Sequence, residues 1–122
     1  MGTVFITQQP RPNSNGWTPN LSPAAKYGKF VYVFAGDDTP WANPKSATEQ
    51  AIATLSKYNP DDDFILYPNS GDPMSIFIIV AVLARLAINK ITFLYWERNL
   101  IDGKRSRTDG FYSPITLNLP IL

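Results

Sequence analysis

Residues 63–98 read DFILYPNSGDPMSIFIIVAVLARLAINKITFLYWER, and the order of signals in this stretch decides the fold class. A short apolar run at 64–67 predicts a strand. The polar turn PNSGD follows, and Asp72-Pro73 then supplies an acidic helix cap with a proline at the first helical position, where its missing N–H would have had no partner anyway. Residues 74–86 are apolar almost all round, which predicts a helix covered on one side by a sheet and on the other by a partner. Residues 90–96 then form a second strand pattern that ends in charge at Glu97-Arg98. Propensity, caps and patterning all agree over this strand–helix–strand unit, and that agreement makes it the anchor of the reading.

The same pattern extends upstream. Residues 29–35 (KFVYVFA) are apolar at nearly every position, which predicts a strand buried on both faces. A helix is expected from Pro44, with Asn43 as its N-cap; Ala47, Ala51, Ile52 and Leu55 share one face, while Lys45, Glu49 and Lys57 lie off it. Asn59-Pro60 ends it. Strand, helix, strand, helix, strand with short links implies parallel strands joined by crossovers. Residues 4–7 form a short first strand. Residues 111–119 (FYSPITLNL) form a last one, reached through a loop at 99–110 and paired antiparallel with 90–96; Pro114 suits its edge position. The expected architecture is a single α/β domain over residues 1–122. Its mixed sheet has about five strands, with a parallel βαβαβ core and a C-terminal antiparallel edge hairpin. Residues 8–28 (QQPRPNSNGWTPNLSPAAKYG) make a long surface loop or arm, and Trp17, Leu21 and Tyr27 favour its packing on the domain.

Composition narrows the chemistry. The 122 residues carry a net charge of +1, so no bulk field draws the chain to nucleic acid or an anionic surface. There is no cysteine for thiolate chemistry or disulfides, and no histidine to act as a general base or transition-metal ligand. The start lacks a basic, apolar leader pattern, and the apolar run at 76–84 stops at Arg85, well short of the ~20 residues a bilayer requires. A cytoplasmic protein with no membrane contact is expected.

Candidate site residues gather at the carboxyl ends of the predicted parallel strands, where open α/β sheets bind ligands. One group is Asp37, Asp38 and Trp41; a second is Asn69, Ser70, Gly71 and Asp72; a third is Glu97 and Arg98. The carboxylates Asp37, Asp38, Asp72 and Glu97 offer hard oxygen ligands for Mg²⁺, although Asp72 equally fits a helix cap and Asp37-Asp38 a turn. Backbone N–H groups at 69–71 offer an anion site, against which Asp72 would repel phosphate. Lys104, Arg105 and Arg107 form a basic patch that reads either as a solvated hairpin tip or as a contact for an acidic surface. Asp102 and Asp109 dilute it, and no strong nucleic-acid binding follows. Tyr95 and Trp96 must point to opposite faces of their strand, one into the core and one over a helix or the early loop.

The segments FLYWER at 93–98, YSPITLNL at 112–119 and NGWTPN at 15–20 resemble small bacteriophage proteins of similar length. The resemblance implies a setting, the cytoplasm of an infected bacterium, and carries over no catalytic residue. The leading expectation is therefore a noncatalytic α/β binding protein that needs no cofactor. It would engage a host protein or a small nucleotide at the rim of its sheet and form a homo-oligomer through the apolar helix at 73–87. A Mg²⁺-dependent enzyme acting on a nucleotide or phosphoester, and a small virion structural or decoration protein, are the alternatives.

Overall fold

The computed structural model describes residues 2–10, 12, 14–16, 18–34, 40–68 and 72–119, and of Trp41, Arg107 and Thr108 the backbone alone. Strand β1 (Thr3–Gln8) leads through a 3-10 helix (Ser22–Tyr27) to β2 (Lys29–Phe34), and a 3-10 turn (Pro40–Ala42) precedes helix α1 (Pro44–Leu55). Strand β3 (Phe64–Leu66), helix α2 (Pro73–Arg85), β4 (Lys90–Ile101) and β5 (Lys104–Asn118) follow. Both helices start as their sequences dictate. The Asn43 side chain accepts from Ser46 N at 3.2 Å and the Asp72 side chain from Met74 N at 3.0 Å, and a proline follows each cap.

The five strands lie in the order β2-β1-β3-β4-β5, parallel except for the β4–β5 pair. The chain steps from β1 outward to β2, then crosses back over β1 to reach β3 and continues to β4. Connections of a single hand place steps in opposite directions on opposite faces. Accordingly, α1 and α2 share one face, where Ala51, Leu55, Ile79 and Leu83 pack on Phe5, Val33, Ile65 and Ile91. The other face is covered by the long β1–β2 connection, whose Leu21 and Ala24 are buried against Val4, Ile6, Leu66 and Leu94. Tyr27 sets its ring edge-on to Phe64, with centroids 5.2 Å apart, and its hydroxyl donates to Tyr112 O at 2.7 Å. Side chains alternate strictly between the two clusters along β1, as a pleated strand requires.

Two expectations need correction. Over its described residues 29–34, β2 is not buried on both faces: it is an edge strand, with Lys29 and Tyr32 exposed and only Val33 and Phe34 buried. β1 instead lies between β2 and β3, and its final residues, Thr7 and Gln8, are polar yet buried. Second, the expected loop at 99–110 is mostly strand. β4 runs on to Ile101 and β5 begins at Lys104, with Asp102-Gly103 as a two-residue turn. Both turn residues have positive φ, 53° and 78°, the geometry whose twist matches that of the flanking strands. The register slips between Arg98 and Leu100 because β5 carries extra residues there, and the Asp109 amide donates to Ser106 Oγ within that bulge. Among the described residues β3 pairs with β4 at Phe93 and Leu94, and beyond Leu94 the hairpin continues as a two-stranded ribbon.

Candidate binding cleft at the sheet rim

The strand order reverses between β1 and β3, so the carboxyl ends of these strands form the crevice where such sheets bind ligands. Here that crevice is bridged. Gln8 Oε1 accepts from the Asp72 amide at 2.8 Å, joining the end of β1 to the cap of α2. The Asp72 carboxylate receives Met74 N, and its carbonyl receives both Ser75 N at 2.9 Å and Ser75 Oγ at 2.6 Å. The first turn of α2 is thus closed by its own cap, and a negative charge already occupies the positive end of its dipole. Beside Gln8, the fully buried Thr7 Oγ1 has no hydrogen-bond partner.

Asp37, Asp38, Asn69, Ser70 and Gly71 lie outside the described residues, as do the side chains of Trp41 and Arg107. Among the described residues no three metal-ligating side chains converge. Of the remaining candidates, Asp72 caps its helix, and Glu97 Oε2 accepts from Ser113 Oγ across the ribbon at 2.7 Å. Arg98 and Arg105 are brought together as walls of one cleft, and neither makes an ion pair among the described residues. Lys104 stands at the ribbon tip, exposed, with Leu100 and Ile101 nearby, the latter two 70% and 51% exposed. The apolar helix is two-sided as expected: Ile79, Val82 and Leu83 are buried, while Phe77 and Met74 are exposed and flank a shallow groove beside Thr48 of α1.

The cleft encloses about 1070 Å³ where β4 rises past the end of β3. Tyr67 and Pro68 form its base, 18–20 of the long connection one wall, and Tyr95, Trp96 and Arg98 of β4 another. Burial, and secondarily the Asp72 carboxylate, hold the Tyr67 phenol above its ordinary pKa, so it is a hydrogen-bonding group and not a base near neutral pH. Tyr95 and Trp96 do point opposite ways. Trp96 packs edge-on to Tyr112 with centroids 4.9 Å apart and lies directly over Gly110, where a Cβ would fall 2.6 Å from the indole and 2.2 Å from Glu97 O. Tyr95 is 56% exposed and lines the same cleft as Thr18, Pro19 and Asn20 of the early loop.

Gln8, Tyr67 and 18–20 were not among the residues the sequence singled out, because only the strand order brings them to the rim. The ribbon did carry a signal: Asp102-Gly103 flanked by apolar and β-forming residues is a strong short-range hairpin pattern.

No helix among the described residues is long and apolar enough to cross a membrane. Over residues 2–118 the sequence matches the model of a family described as phage Pam3 gp32-like protein. No curated protein and no solved structure matches it.

Proposed function

We propose that this chain, which belongs to the phage Pam3 gp32-like family, is a noncatalytic binding protein that engages another protein at the carboxyl rim of its sheet. The observation that carries this reading is the cleft itself. At about 1070 Å³ it is open, bounded by a strand edge and aromatic side chains, and slightly larger than the ~300–1000 Å³ typical of small-molecule pockets. The polar groups around it favour recognition over chemistry, because Gln8, Asp72 and Glu97 are each held in structural hydrogen bonds. A nucleotide is the weaker ligand. The α2 N-terminus, the natural phosphate seat, is closed by Asp72, whose charge opposes an anion. The same reading assigns self-association to the exposed flank of α2, where Phe77 is 66% exposed beside Met74.

Affinity capture from phage-infected cells with the native chain and with Tyr95→Ala/Arg98→Glu tests this. A defined protein retained by the native chain and lost by a variant of unchanged melting temperature is expected. Equal capture by both, or retention of a nucleotide alone, overturns the reading.

A further inference from the structure

Among the described residues, β4 beyond Leu94 is paired on one side only. Residues 95–101 pair with β5, while their opposite edge faces the cleft, since β3 meets β4 at Phe93 and Leu94 among those residues. No backbone hydrogen bond from that stretch to any other described element exists. Pro68 comes two residues after the end of β3, and without an amide N–H it cannot donate to a continued ladder. Seven residues at ~3.3 Å each leave an open edge of roughly 23 Å.

The two edges of the ribbon are not equivalent. The outer edge of β5 carries Pro114 and the bulge before Gly110, both of which interrupt strand addition. The irregularity falls in β5, so the inner edge of β4 stays continuous from Tyr95 to Ile101 and has no proline. The base and walls of the cleft stand on either side of that edge, with Tyr95 on one face, Trp96 on the other, Arg98 on β4 itself and Arg105 on the neighbouring β5. A two-stranded ribbon is marginal in water without a third strand or a covering layer. These features deepen the reading of the cleft as a protein-binding site and rest on it. We propose that the free edge of β4 over residues 95–101 accepts an extended segment of a partner protein as an added strand. That segment carries alternating apolar side chains and acidic residues that meet Arg98 and Arg105. Backbone hydrogen bonds supply the affinity; Tyr95, Trp96 and the two arginines supply the selectivity.

The test uses linear peptides from a randomised library, selected on the immobilised full chain and then studied in solution by amide exchange and calorimetry. Selected peptides are expected to alternate apolar residues, to carry acid toward one end, and to protect alternate amides within 95–101. N-methylation at alternate peptide positions should weaken binding by about tenfold or more in one phase and hardly at all in the other, because only one phase of amides faces β4. Arg105→Glu should weaken it severalfold, less so in high salt. Peptides that perturb Tyr67, Trp96 and Tyr112 but show no phase dependence would overturn strand addition while leaving the cleft as a binding site. Protection of 95–101 that grows with protein concentration in the absence of peptide would make the occupant a second copy and overturn the proposal. A library that yields no cleft-directed peptide also overturns it, and the cleft reading then stands or falls on the capture experiment.

Discussion

Gly110→Ala probes the ribbon where it meets the cleft. A Cβ at Gly110 would sit 2.2 Å from Glu97 O and 2.6 Å from Trp96 Cζ2. Both gaps are about an ångström or more short of ordinary contact. Glu97 O is backbone on the paired strand, and the indole is wedged against Tyr112, so neither can move without loss. Displacing Trp96 forfeits an edge-on aromatic pair, worth about 0.5–1.5 kcal/mol. Forcing the β4–β5 pair apart weakens cross-strand contacts worth about 0.2–1 kcal/mol each. Together these give a destabilisation of roughly 1–3 kcal/mol, in line with overpacking of a filled site. Urea unfolding should show a lower midpoint at unchanged slope, and the Trp96 indole resonance should move the most of the three indoles. If the unfolding free energy falls by less than ~0.5 kcal/mol and the Trp96 resonance keeps its position, the inference that Gly110 seats the indole is wrong. Trp96→Ala/Gly110→Ala should be less than additive, because the first change removes part of what the second strikes.

Asp63 ties two ends of the fold together. Its carboxylate accepts Thr3 N and Asn59 N, each at 2.8 Å, so Asp63→Ala should cost roughly 2–4 kcal/mol by removing two charge-assisted hydrogen bonds from part-buried donors, read as a fall in melting temperature. Tyr58 has its phenol pKa raised, first by burial and also by Asp63. A raised folded pKa means stability present in full below the unfolded value of about 10 and lost as pH climbs through the folded one. Unfolding free energy should therefore drop above about pH 10, and Tyr58→Phe should flatten that drop while lowering stability near neutrality, since Thr92 N loses its acceptor. Phe77→Asp, on the exposed flank of α2, should leave the unfolding free energy within about 0.5 kcal/mol of native and reduce any association seen by sedimentation. Unchanged sedimentation of an associating protein would remove α2 as the contact.

Local signals were enough for the two helices and the strands that flank them, though not for the strand extension through 99–110. The caps at Asn43 and Asp72, each followed by proline, and the apolar runs of β3 and β4 follow from chemistry within a few residues, and the helices begin where that chemistry places them. The α/β class with an antiparallel C-terminal pair follows from their order. What the sequence could not decide is which strand lies inside. KFVYVF is the more apolar run and TVFITQ the more polar one, yet β1 takes an interior place and β2 the edge, because the chain reverses direction across the sheet after β2. That reversal alone carries Gln8 to Asp72 and closes the crevice that fold-level reasoning would fill with a ligand. β3 is only three residues long between longer neighbours, so among the described residues the upper part of β4 pairs with β5 alone. Backbone pairing between strands distant in sequence is a property of tertiary arrangement. Local patterning announces a strand at 90–96 and a loop at 99–110; only the fold carries that strand on to Ile101 and shows which of its edges no described strand covers.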